Sequence, residues 1–199
     1  MSKTHRTAKI ERDTSETRIS IDLNLDGKSI NNSLQTGFGF ADHMLDLMAH
    51  WGDIELQVSC DGDIYIDAHH SLEDTAICLG QAFSRALGDR SGIARVGWAK
   101  VPMDEAMAEA VVDFSGRPYL VYQGHELLSE IIAGEEKDLW REFFKSFAFS
   151  AKMNMHIIFH YGSNSHHLLE SSFKALGLAV RQAKSLTRSG VLSTKGILD

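Results

Sequence analysis

The sequence predicts an α+β fold built by internal duplication. Two similar half-domains are expected, each a mostly antiparallel sheet with helices packed on it. Three observations lead there. Two histidine doublets, His69-His70 and His166-His167, stand 97 positions apart in a chain of 199 residues. Around them Asp67-Ala68-His69-His70-Ser71-Leu72-Glu73 aligns with Asn164-Ser165-His166-His167-Leu168-Leu169-Glu170, and the register holds through Leu79-Gly80 with Leu176-Gly177, Ala82 with Ala179 and Ala86 with Ala183. Finally, strand-period and helix-period segments recur in both halves. The expectation is one domain over 1–199, with repeats near 10–95 and 100–190.

Taken in order, residues 18–25 alternate apolar and polar, the mark of a half-buried strand, and Asp26-Gly27 turns the chain. Gly37 and Gly39 suggest a turn into a helix, with Asp42 as its N-cap and helical spacing over 42–50. Ile54 to Cys60 alternates again, and Asp61-Gly62 precedes a short Ile64-Tyr65-Ile66 run. Helical spacing over 71–88 carries HHxxE at its start. In the second half 108–114, 118–122 and 155–161 read as strands, and 138–151 and 168–185 as helices. Only two prolines, Pro102 and Pro118, interrupt the chain, so no linker separates the halves.

Composition excludes several classes. Hydrophobic residues are 43% and charged residues 24%, a globular mixture rather than a disordered one. A net charge of −7 argues against a nucleic-acid-coating surface. No apolar run approaches the roughly 18 residues that a membrane span needs. The polar start, Met1 to Thr17, lacks the apolar segment of a secretory signal. Cys60 and Cys78 are too few for a disulfide framework and too far apart for a metal knuckle. A soluble, cytoplasmic protein is expected. Ten histidines are the one unusual count.

The chemistry lies in where those histidines fall. On a helix, at about 100° per residue, the two imidazoles of HHxxE diverge by about 100° while the glutamate lies between them. One ion held by all three from one helix is awkward, whereas two ions each taking one imidazole are easily reached. Duplication makes His69, His70, Glu73, His166, His167 and Glu170 sufficient for two related sites. Imidazole and carboxylate without thiolate suit Mn, Fe or Zn. A single HHxxE is more often a solvated first turn, but its repetition at matched positions argues otherwise. The spacing is neither HExxH nor HxxEH with a trailing ligand. No phosphate-cradling glycine motif is present. His43 alone reads as a surface histidine. His156 and His160, four apart in a strand, are about 13 Å apart and read as structural. His5 and His125 carry no pattern.

Several segments together resemble the imidazoleglycerol-phosphate dehydratase family. They are Asp42-His43-Met44-Leu45-Asp46, Asp67 to Asp74, Met103-Asp104-Glu105-Ala106, Asp113 to Tyr119, Asn164 to Glu170 and Ser193-Thr194-Lys195-Gly196. They run in order from about Ile10 to the C-terminus. The resemblance implies a manganese-dependent lyase that converts D-erythro-1-(imidazol-4-yl)glycerol 3-phosphate to 3-(imidazol-4-yl)-2-oxopropyl phosphate in histidine biosynthesis. It implies two Mn²⁺ per active site, with Fe²⁺ or Zn²⁺ as substitutes. It also implies a large homo-oligomer, typically 24 subunits built from trimers, with sites completed across subunits; neither nucleic acid nor membrane is expected as a partner, from the acidic charge and the short apolar runs.

By position, His43, His69, His70, Glu73, His166, His167 and Glu170 resemble the family's metal ligands. Glu16, in Asp13-Thr14-Ser15-Glu16-Thr17, falls where the family has a substrate-contacting carboxylate and is the candidate general base. Glu73 and Glu170 are counted with it among the catalytic residues. Arg95, Arg117, Ser193 and Lys195 align with contacts to the substrate phosphate, an anion that guanidinium and ammonium groups suit. The chain departs from the pattern twice. Glu142 stands where many relatives have a histidine ligand, a replacement that Mn or Fe tolerates. The first helix ends His50-Trp51-Gly52 where relatives often read His-Gly. Rival readings are a di-metal phosphate-ester hydrolase and a non-catalytic metal-binding or storage protein.

Overall fold

The computed structural model describes residues 6–29 and 31–198; His5, to which no role was assigned, lies outside them. Strands β1 (Thr7–Asp13) and β2 (Thr17–Asn24) form an antiparallel hairpin. In β2, Thr17, Ile19, Ile21 and Leu23 point inward and Arg18 and Asp22 outward, as the alternation predicts. After β3 (Ser33–Gln35) and helix α1 (Gly39–Trp51), strand β4 (Glu55–Gly62) pairs antiparallel with β2 and parallel with β3. Helix α2 (His69–Leu87) closes this half. The second half repeats the order: β5 (Val96–Met103), β6 (Ala106–Asp113), β7 (Tyr119–Gln123), α3 (Asp138–Ser150), β10 (Asn154–Tyr161) and α4 (Ser165–Lys184). A small ribbon of β8 (Ile131–Ile132) and β9 (Glu135–Glu136) precedes α3.

The sheets run β1-β2-β4-β3 and β5-β6-β10-β7, so strands of the same rank occupy the same places. Each sheet has two antiparallel pairings and one parallel pairing. This is the α+β class expected, mostly antiparallel in each half.

Helices α2 and α4 lie on their own sheets, against β1 and β2 and against β5 and β6, while α1 crosses α4 and α3 crosses α2. Each crossing is set by a glycine at a duplicated position. A Cβ on Gly80 would lie 2.7 Å from Phe147 O and from Ala151 N, and one on Gly177 would lie 2.7 Å from Met48 O. On β5, a Cβ at Gly97 would meet Ala179 O. Beside it Ala106, Ala108 and Ala110 of β6 are fully buried, so small side chains bring α4 close to the sheet. Between the layers Trp140, Phe143, Phe144, Phe147 and Phe173 form a continuous aromatic cluster, with Phe144 and Phe173 centroids 5.0 Å apart.

One local expectation is corrected, and some elements lie outside the periodicity reading. Helix α1 starts at Gly39 with Phe38 at the N-cap, so Asp42 lies in the first turn. Its carboxylate accepts instead from the Thr36 amide (2.7 Å) and hydroxyl (2.6 Å), fixing the loop before the helix. Asp61 and Gly62 are the last residues of β4, and the Ile64-Tyr65-Ile66 run that follows is an exposed turn leading to α2. Strands β1, β3 and β5 have no counterpart in the periodicity reading.

Candidate metal and anion sites

At the start of α4, the Asn164 side chain accepts from the His166 amide and caps the helix (2.9 Å). His166 and Glu170 therefore sit one turn apart on one face. The crossing of α1 over α4 brings a third group: His43 Nε2 lies 3.1 Å from Glu170 Oε1, and His166 Nε2 lies 2.9 Å from the same oxygen. One ligand atom from each of the three lies within 4.8 Å of the others. The second carboxylate oxygen, Oε2, accepts from Lys174 Nζ at 2.6 Å. Burial pushes the Glu170 carboxyl up, but hydrogen bonds from Lys174, His43 and His166 prevail and hold it at about 2. An ionised carboxylate shared by two imidazoles is a donor set that fits a divalent cation.

The start of α2 carries the related group. His69 Nε2 lies 3.4 Å from Glu73 Oε2, and Ser146 of α3 donates to Glu73 Oε1 at 3.3 Å. Glu142, also on α3, is the fifth residue of its 13-residue helix, and His43 is the fifth residue of α1, which has the same length. The crossing helices thus present His43 beside one doublet and Glu142 beside the other. Glu142 pairs with Lys145 (2.7 Å) and Arg141 (2.9 Å), and its carboxyl is lowered first by the Lys145 hydrogen bond, with His69 adding to the effect.

Within each doublet the ring centroids stand 6.3 Å apart with their planes nearly perpendicular, and the two imidazoles meet different partners. His70 Nδ1 faces Asp63 Oδ2 at 3.0 Å, with Glu16 Oε2 at 4.0 Å. His167 Nδ1 faces Glu105 Oε2 at 2.8 Å, and Asp104 Oδ2 lies 3.9 Å from its Nε2. That hydrogen bond from His167 is the chief reason Glu105 is held at about 2, helped by the amides of Asn164 and Ser163.

Glu16 belongs to the β1–β2 turn, which Thr14 Oγ1 fixes by accepting from the Glu16 and Thr17 amides. The Thr17 hydroxyl donates to Asp74 of α2 (2.6 Å), which also pairs with Arg12 (2.9 Å). The turn is thereby tied to the helix that carries the first doublet.

A separate cavity of about 330 Å³ is lined by Arg95, Ser115, Arg117, Ser193, Thr194 and Lys195, among others. It gathers all four residues expected at the phosphate. Arg95 is partly committed: it grips Asp113 through Nε (2.6 Å) and Nη2 (2.9 Å), and Nη1 donates to Leu192 O (2.6 Å), which anchors the C-terminal segment. Of the other histidines, His160 pairs with Glu109 (2.8 Å), His125 stacks on Tyr122, and His50 is exposed at the end of α1. Trp51 lies against Gly177 at the helix crossing.

Sequence reasoning gave no role to Asp63, Lys174 or Ser146. Glu105 was visible in Met103-Asp104-Glu105-Ala106 without a stated task. Among the described residues, no helix is long and apolar enough to cross a membrane.

The family model for imidazoleglycerol-phosphate dehydratase matches residues 36–180. A relative of that name from Oleidesulfovibrio alaskensis is 59% identical, covering 98% of this chain and 100% of its own. One from Solidesulfovibrio magneticus is 61% identical over 94% of this chain and 95% of its own. The crystal structure of the Staphylococcus aureus enzyme is similar with a TM-score of 0.82 at 32% identity, covering 91% of this chain and 99% of that one. The Pyrococcus furiosus structure gives 0.82 at 31% identity, over 95% and 100%.

Proposed function

The chain belongs to the imidazoleglycerol-phosphate dehydratase family, hydro-lyases that dehydrate imidazoleglycerol phosphate in histidine biosynthesis, and from that premise we propose how its residues divide the work. Membership sets aside the hydrolase and storage readings. The observation that carries the proposal is the convergence of His43 and His166 on one oxygen of Glu170, from two helices far apart in sequence.

In this reading His43, His166 and Glu170 hold one group of ligands. His69, Glu73 and Glu142 hold the related group, and His70 and His167 face outward to complete sites with other elements. Two Mn²⁺ per active site are the proposed cofactors, with Fe²⁺ or Zn²⁺ as substitutes. When bound, such ions supply Lewis acidity to the imidazole and hydroxyl of the substrate.

Arg95, Arg117, Ser193 and Lys195 bind the phosphate, and their common cavity supports this assignment. Glu16 takes the carbon-bound proton, the hydroxyl leaves with a proton as water, and the enol becomes the ketone 3-(imidazol-4-yl)-2-oxopropyl phosphate. The two hairpins favour Glu16 for that task. Glu105, on the second hairpin, already accepts from His167, Ser163 and Asn164. The Glu16 carboxylate, about half exposed, accepts no hydrogen bond among the described residues: His70 Nδ1 stands 4.0 Å away, and Arg12 acts on it only as a nearby charge. A carboxylate not occupied by donors is available as a base.

Self-association into a 24-mer from trimers belongs to the same proposal, as does a cytoplasmic location without nucleic-acid or membrane partners. The outer face of the second sheet supports association: Val96, Trp98 and Tyr119 are exposed there, Trp98 to 63%. The single-domain organisation with repeats near 10–95 and 100–190 is likewise proposed, supported by the repeated element order. The test is Glu16→Gln in pure, Mn²⁺-loaded protein. Turnover is expected to fall by about 10²-fold or more while Mn²⁺ content is unchanged. Near-normal turnover would remove Glu16 from the role.

A further inference from the structure

We propose that Asp63 and Glu105 are positioning carboxylates, each orienting the second histidine of a doublet so that its Nε2 is presented to a metal ion. This rests on the metal reading above and extends it to residues outside the ligand set.

Asp63 lies in the loop between β4 and α2, with a side chain only 12% exposed, and both its oxygens approach His70 Nδ1, at 3.0 and 3.3 Å. Glu105 lies in the β5–β6 turn and meets His167 Nδ1 at 2.8 Å. A carboxylate is an acceptor only, so Nδ1 carries the hydrogen in both rings and the Nε2 lone pair is left as the donor. The first histidine of each doublet is arranged the other way round. His69 and His166 turn Nε2 toward the glutamate of their own helix. Each doublet therefore splits its two imidazoles: one is aimed by the helix glutamate, the other by a carboxylate from outside the helix.

The two halves reach this arrangement by different routes. Seven residues before His70 stands Asp63, but seven before His167 stands His160, which pairs with Glu109 instead. Glu105 comes from a hairpin 62 residues upstream of its histidine. The hydrogen bond is therefore not a copied piece of scaffold. It is made twice, by unrelated positions, on the same ring atom. Outer carboxylates of this kind fix the tautomer and ring orientation of ligating histidines, and their removal typically weakens metal binding 10–100-fold.

The experiment is a Mn²⁺ titration of metal-free full-length protein in the absence of substrate. Free Mn²⁺ is read by electron paramagnetic resonance, on particles checked for native mass. Wild type is compared with Asp63→Ala, Asp63→Asn, Glu105→Ala and His70→Ala. Asp63→Ala is expected to weaken, by 10–100-fold, the same class of sites that His70→Ala abolishes, and to leave the other class unchanged. Asp63→Asn, whose carbonyl oxygen still accepts from Nδ1, is expected to recover most of the loss. Glu105→Ala also strands the Ser163 and Asn164 amides; if it does not fold, the Asp63 variants decide the matter. A wild-type isotherm for Asp63→Ala beside a defective His70→Ala would overturn the proposal and leave the metal reading standing. A wild-type isotherm for His70→Ala itself would overturn that reading instead.

Discussion

Replacing Lys184 by methionine isolates the cost of one buried cation that braces the two halves. Lys184 ends α4 and is 7% exposed. Its Nζ donates to the carbonyls of Leu25 and Asp53, and its own carbonyl accepts from Arg6 at 2.6 Å. Burial, with Arg6 nearby, pushes the ammonium down from 10.5 to about 8. Between pH 8 and 10.5 the unfolded chain thus binds more protons at this position than the folded one, so stability rises with pH. Below pH 8 the ammonium is charged in both states and its burial penalty is fully present. The relief is essentially nil at pH 7 and about 2 kcal/mol by pH 9.5. Other groups titrate in this range, and the variant cancels them. Guanidinium unfolding of wild type and Lys184→Met, at one protein concentration, should show wild type gaining about 2 kcal/mol on the variant between pH 7 and pH 9.5. A stability difference that stays flat with pH, or moves the other way, refutes the argument.

Three further outcomes are expected. Gly177→Ala places a Cβ 2.7 Å from Met48 O and 2.9 Å from Trp51 Cβ, and backbone cannot yield cheaply there. It should cost about 1–3 kcal/mol in chemical unfolding and weaken Mn²⁺ binding, because α1 and α4 carry His43 and Glu170. Gly39→Ala, with nothing within 4 Å, is the control that should do neither. Glu142→His replaces a carboxylate with an imidazole beside His69, and should shift competition between Mn²⁺ and Zn²⁺ toward Zn²⁺. Unchanged selectivity, measured by metal analysis after equal loading, would place Glu142 outside the site. Arg117→Ala should raise KM about 10-fold or more with little change in kcat, since phosphate contacts act on binding away from the reacting carbons. A fall in kcat alone would contradict that role.

Much of this molecule was legible in the chain, and what was missed has physical causes. Strands β2 and β6 bury every second side chain, and β4 buries Leu56 and Val58 in the same alternation, so period-two reading finds them. Strand β1 buries only Ile10 fully, and in β5 Gly97 faces inward while Val96 and Trp98 face outward, so hydropathy does not alternate along either strand. The helix faces were visible, but periodicity reports that a face is buried and not against what. That α1 lies on α4, and α3 on α2, follows from where Gly177 and Gly80 allow close approach. The doublets were legible because duplication repeats them in register. His43 and Glu142 gained meaning only from resemblance, and their equal places in two crossing helices appear only in three dimensions. Asp63 and Glu105 look like ordinary solvated loop acids in sequence, because nothing local records which ring they will meet.

The account stands on divalent cations held by the two histidine-doublet helices. The most direct test is a single titration in which metal-free protein at native mass receives Mn²⁺ in steps. At each step, bound Mn²⁺ per chain and ketone formation from imidazoleglycerol phosphate are measured together. No turnover is expected without metal, and activity should rise to a plateau as each active site takes up two Mn²⁺. His166→Ala and His69→Ala should each lose both binding and turnover. Full turnover by metal-free protein, or Mn²⁺ binding that survives in both variants, would contradict the account.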